Sequence, residues 1–198
     1  MTVYSNLKYD HPFSANATGA GALTKISSQT ASNSTSLSFT TGLDSTYKEY
    51  VFKFFNLKPA TDAVIFQFNL STDSGSNYNV TKTSITQLTY HGEDGSAGTF
   101  HGPGGYQLRQ STAYQGTGEN VGSDADQGVS GEVHFFDPSN TTFTKHYSGY
   151  ISQTHRSDYS WNVYLFGYGN TTSAVNAIDF KYSSGNISSG TIIMYGVS

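Results

Sequence analysis

Apolar residues recur along this sequence with a period of two, in short runs closed by Gly, Pro, Asn and Asp. Leu37 and Phe39 alternate with serine. In the next run Tyr50, Phe52 and Phe54 share one face, and Val51, Phe55 and Leu57 the other. With both faces apolar, this run predicts a central strand covered on two sides. Val64, Phe66, Phe68 and Leu70 follow after a Pro-containing turn, Lys58–Asp62. Ser71–Asn77 then supplies Asp and Gly, the residues of a tight turn. The text on either side of it, ending in a Thr-rich run with Val80, Ile85 and Leu88, predicts a hairpin.

The same punctuation continues to the end of the chain. Strand-like text resumes at Gly131, again through Phe143–Gln153, and over Tyr159–Gly169. Ile178, Phe180 and Tyr182 alternate in the next run, and Thr191–Val197 is a last one, too hydrophobic to stand outside a sheet. About eight to ten strands separated by turns, without a helical period, predict an all-β fold: an antiparallel two-sheet β-sandwich, jelly-roll-like. The 198 residues suit one domain, 21–198, preceded by an arm, residues 1–20, that shows no period but carries Val3, Tyr4, Leu7, Tyr9 and Phe13. Residues 92–130 break the alternation with glycines and acids and read as a long Gly-rich loop facing solvent.

Several classes of function are excluded by composition. Cysteine is absent, which removes disulfides, thiolate zinc sites, iron–sulfur clusters and cysteine nucleophiles. Charged residues are 12% of the chain and the net charge is −4, with Arg109 and Arg156 its arginines, so no basic stripe for nucleic acid is present. No apolar run is long enough for a membrane-spanning helix, and the first ten residues lack the apolar centre of a signal peptide.

Candidate sites are few. Glu93–Asp94 and the Asp124/Asp126 pair lie in the Gly-rich segment, where carboxylates suit calcium or the two acids of a glycosidase. The ordered spacing of a calcium loop is missing, so solvated loop acids are the plainer reading. The six histidines form no metal-binding pair, and His134 and His146 fall in strands, on exposed or interface faces. No metal or cofactor is expected. There is no Gly-x-Ser-x-Gly elbow, and Gly102–Gly105 lacks the lysine and helix of a phosphate loop. The tyrosines 106, 114, 147, 150, 159, 164 and 168, with Trp161, are too many for one core. Their flat amphipathic rings suit subunit interfaces first and sugar stacking second.

Three stretches carry a resemblance. Gly21–Ser32 continuing into Ser38–Asp62, then Ser71–Ser84, and finally Asn170–Val197 resemble a β-domain that recurs in structural proteins of tailed bacteriophages, marine and cyanobacterial ones especially. The likeness covers residues 20–91 and 131–197, and residues 1–20 depart from it. It implies a non-enzymatic virion protein, in a tail fibre, a tail tip or a capsid decoration, and no catalytic residue. Its expected partners are copies of itself in a homotrimer and other capsid or tail proteins, with Val3, Tyr4, Leu7, Tyr9 and Phe13 as virion anchor. The alternative is a carbohydrate-binding or depolymerising module that meets host glycan through Tyr106, Tyr114, Glu93 and Asp94.

Overall fold

The computed structural model describes residues 23–95, 98–101 and 106–198, and the regular elements among them are all strands. Eight of these strands pair as nested antiparallel partners. The outermost pair is β1 (Leu23–Thr30) with β12 (Ile187–Val197), followed inward by β2 (Leu37–Phe39) with β11 (Ala177–Tyr182). Then come β3 (Glu49–Pro59) with β8 (Val129–Phe136), and β4 (Phe66–Ser71) with β7 (Gln115–Gly116). Successive pairs go to opposite sheets, giving β1-β12-β3-β8 in one layer and β2-β11-β4-β7 in the other. That order is a jelly roll, as the alternation predicts.

Two inserted hairpins widen the first layer. β5 (Lys82–Gly92) with β6 (Gly98–His101), and β9 (Lys145–His155) with β10 (Tyr159–Gly169), extend it to the order β1-β12-β3-β8-β9-β10-β5-β6. β5 and β10 pair over all 11 residues, so each insertion supplies the other with hydrogen-bond partners.

The core lies between the layers and is built by the alternating residues. Tyr50, Phe52 and Phe54 face inward from the large sheet, and Phe66, Phe68, Leu70, Ile178 and Phe180 from the small one; all are buried. Tyr182 is buried too, and its hydroxyl donates to the Leu57 carbonyl at 2.7 Å, which satisfies the polar tip of an otherwise apolar side chain. β12 sits between β1 and β3, so the last apolar run is sheltered as its composition requires.

Three expectations need correction. β3 is central and is covered on two sides only over part of its length: on its outer face Val51 is buried while Phe55 is 45% exposed. Leu57 turns inward, because Asn56 takes a left-handed φ of 49° and the register with β8 shifts between Phe54 and Leu57.

Ser71–Asn77 is not a hairpin turn. It carries the chain from the small sheet to the large one, since β4 pairs with β11 and β7, and β5 with β10 and β6. The local chemistry is the one a turn needs. Asp73 Oδ1 accepts from the Ser71 hydroxyl at 2.7 Å and the Asn77 amide at 2.9 Å, and these bonds hold its carboxyl down at about 2. Such chemistry bends the chain without specifying which strand lies beside which.

Residues 106–128 are not a free loop. Ser111 exchanges backbone hydrogen bonds with Lys82 at 2.8 and 3.0 Å, Val121 N donates to Val64 O at 2.8 Å, and Gln115, Thr117 and Val121 are buried. Here the glycines serve close approach: a Cβ on Gly118 would collide with the Gln153 side chain, and one on Gly122 with Gln127. The arm, with Val3, Tyr4, Leu7, Tyr9 and Phe13, lies outside the described residues.

Candidate interaction face and polar groove

Side chains at even positions of β8, β9 and β10 and odd positions of β5 point away from the core, onto the outer face of the large sheet. Register lines them up in rows. Phe166 stands between Ile85 and Ser148, and Tyr164 between Gln87 and Tyr150. The Tyr150 and Tyr164 ring centroids are 5.2 Å apart, and the Tyr150 hydroxyl donates to Asn162 Oδ1 at 3.3 Å. Ile85, Phe136, Tyr150, Tyr164 and Phe166 are each between 41% and 46% exposed, so one end of this face carries a cluster of half-exposed apolar and aromatic side chains, with Gln87, His134 and Ser148 among them.

An ion cluster borders that surface on β3 and β8. His134 Nδ1 lies 2.6 Å from Glu49 Oε1 and its Nε2 3.0 Å from Glu132 Oε1, while Lys53 Nζ is 3.1 Å from Glu132 Oε2. A carboxylate at each ring nitrogen suits the doubly protonated imidazolium. Burial works against that charge, but the hydrogen bonds to Glu49 and Glu132 outweigh it and raise the His134 pKa above its ordinary value. A raised folded pKa stabilises the fold below the unfolded value near 6.5, and that gain is lost as pH rises through the folded value. His134→Gln should therefore remove a small stabilisation, about 1 kcal/mol or less, measurable by urea unfolding at pH 5 and absent at pH 8.5.

The other end of the face is polar. Small hydroxyl side chains on three neighbouring strands, Ser130, Ser152, Thr154 and Ser160, leave a groove of about 470 Å³ walled by Lys58, Asn56, Glu93 and Asp126. Ser130 Oγ accepts from the Asn56 amide at 3.0 Å, which ties the left-handed residue to the groove floor.

The structure separates the residues that the sequence singles out. Glu93 lines the groove together with Asp126, bringing the two acidic pairs to one place; Asp94 is exposed beside them without lining it. Tyr114 lies against the small sheet instead, just before β7. Its hydroxyl donates to Asp179 Oδ2 at 2.9 Å, Lys181 Nζ lies 4.0 Å from its ring centre, and burial raises its pKa. Tyr106 rests on Gly116, and its pKa is pushed up to about 12 by burial, with Glu119 adding to the effect. Tyr114 thus fastens its segment to β11, while Tyr106 packs within the segment.

Trp161 is no surface platform: it is buried, stacked between Tyr90 at 5.2 Å and His155 at 4.9 Å. Tyr147 is buried as well. The groove's serines were visible in the sequence as every second residue of the strand text, yet their meeting on three strands depends on register. No group of three or more His, Asp or Glu placed to hold a metal is found among the described residues.

No protein-family model matches the chain, and no curated protein or solved structure matches it either. Fold and surface chemistry therefore define it: a widened jelly roll with one outer face divided into an aromatic end and a polar groove.

Proposed function

We propose that this chain is a non-enzymatic structural protein of a tailed-phage virion, a tail-fibre, tail-tip or capsid-decoration component that works as an assembly of identical copies. The observation that carries the reading is the aromatic end of the outer sheet face. Exposed aromatic and apolar side chains gathered on one face, rather than scattered singly, mark an interaction site. Jelly rolls also serve widely as building blocks of viral shells. In this reading residues 1–20 anchor the protein to the particle. Quantitative mass spectrometry of purified particles tests it. A copy number near that of the major capsid protein means decoration, a far lower one means a tail component, and absence from particles refutes the assignment.

The groove favours a second reading, carbohydrate binding, because hydroxyls, two carboxylates and an ammonium surround a space of the size small-molecule sites have. Binding on a glycan array that falls at least tenfold in Asp126→Asn and Glu93→Gln, and persists in Tyr106→Phe, supports it. An array without signal for the wild-type chain overturns it.

A further inference from the structure

We infer that Lys82 and Asn69 form a self-modification site: the Lys82 amine displaces ammonia from the Asn69 carboxamide and leaves an Nζ–Cγ amide bond between the two layers. The inference stands apart from the assembly role and holds whether or not the chain is a virion protein.

Contact and orientation are the first argument. Lys82 starts β5 of the large sheet, Asn69 lies in β4 of the small one, and both side chains are fully buried. The amine donates to Asn69 Oδ1 and to the Val80 carbonyl at 2.7 Å, and among the described residues no carboxylate forms an ion pair with it. Cγ lies one C=O bond, about 1.2 Å, beyond that contact. Nδ2 donates to the Tyr78 and Thr112 carbonyls at 2.6 and 3.0 Å, which holds the carboxamide with its oxygen toward the amine. Oδ1 also accepts from the Leu70 amide at 2.9 Å, a donor placed to stabilise the negative charge that grows on this oxygen during attack. Two groups held in contact react in one unimolecular step, and that is the source of the rate.

The state of the amine is the second argument. Burial brings its pKa down to about 7, so a large share of it is unprotonated at neutral pH, as an exposed lysine is not. The Nζ lone pair forms the bond to Cγ, the Cγ–Nδ2 bond breaks, one Nζ proton moves to Nδ2, and ammonia leaves; nothing is oxidised or reduced. Nδ2 donates to two carbonyls and to no acid, so its departure is slow and the bond closes over days rather than during folding. Fresh protein therefore still titrates as an amine.

The charged neighbours by register are Lys145, across Gly169, and Asp179, beside Asn69. Lys145 Nζ donates to the Phe143 carbonyl at 2.5 Å, and Asp179 accepts from the Ser38 and Tyr114 hydroxyls at 2.5 and 2.9 Å. The phenols of Tyr78 and Tyr114 stay neutral to pH 9, since burial raises their pKa values.

Intact-mass spectrometry of the full chain tests the bond. Purified protein held for weeks at pH 9 should become lighter by one ammonia, and its digest should contain a branched peptide joining Lys82 to Asn69. At pH 5 only about one amine in a hundred is free, so the reaction should run at least thirtyfold slower. Lys82→Met should keep its encoded mass under the same conditions. The aged wild type should also lose the pH dependence of stability that the free amine confers. A wild type that keeps its encoded mass at pH 9, an equal loss of ammonia in Lys82→Met, or equal rates at the two pH values overturns the inference.

Discussion

Phe180→Ala should destabilise the protein by about 3–5 kcal/mol, the cost of emptying a buried phenylalanine site that cannot collapse. Phe180 is fully buried on β11 at the centre of the sandwich. Its ring centroid lies 5.4 Å from Phe52, 5.3 Å from Phe54, 6.0 Å from Phe66, 6.1 Å from Phe68 and 6.2 Å from Phe39. Those neighbours come from β2, β3 and β4 across both sheets, and β11 is held on each side by hydrogen bonds to β2 and β4. The walls therefore cannot close over the void. The midpoint of urea unfolding reads the loss directly. Phe143→Ala, at a residue 67% exposed, should change stability by less than about 0.5 kcal/mol. A Phe180→Ala loss below about 1 kcal/mol would mean that the two layers do not meet over this residue.

The second large effect belongs to Lys82, which is fully buried at the start of β5. Its ammonium donates to Asn69 Oδ1 and to the Val80 carbonyl at 2.7 Å, and both partners are neutral. Burial brings its pKa down from 10.5 to about 7. The unfolded chain thus holds a proton that the folded chain has released, so stability rises with pH between those two values. The gain should be about 3 kcal/mol from pH 7 to pH 9.5. Above pH 10 the buried hydroxyls of Tyr147 and Tyr182, whose pKa values burial raises, pull the other way because they ionise first in the unfolded chain. Lys82→Met keeps the shape and removes the charge, while Asn69 Oδ1 still accepts from the Leu70 amide at 2.9 Å. The variant should lose the slope between pH 7 and 9.5 and be more stable than the wild type at pH 6. An unchanged slope would show that Lys82 reaches water.

How much of this was legible differs from residue to residue. Phe66, Phe68 and Leu70, or Ile178 and Phe180, announce strands and their inner faces because a period of two maps one face onto the core. The nested pairing is not legible: Leu23 pairs with Val197 and Ile178 with Phe39, and nothing local reports a partner so far along the chain. Ser71–Asn77 was misread as a hairpin because the same Asp and Gly bend a chain within a sheet or between sheets. Gly118 and Gly122 read as part of a solvent-facing loop, whereas they allow close approach to Gln153 and Gln127. The exposed Tyr150 and Tyr164 look no different in the sequence from the buried Tyr147 and Trp161. The phase of β10 separates them, since Trp161 follows buried Val163 and Leu165, and Tyr164 follows exposed Phe166. The groove needed register: Ser130 reaches Ser152, and Thr154 reaches Ser160, only once three strands are aligned.

The divided outer face also explains why the chain tolerates so many exposed rings with so little charge. Strands β5, β9 and β10 carry Ile85, Tyr150, Tyr164 and Phe166 on the outer face, away from the small layer, and the proposed assembly would bury them there. Hydroxyl-radical footprinting of the protein within purified particles, against the isolated Phe166→Glu chain, tests that claim most directly. Oxidation of Tyr150 and Tyr164 should fall at least fivefold in the particle while Phe143 keeps its reactivity. Equal oxidation of the patch in both states would contradict an assembly role for this face.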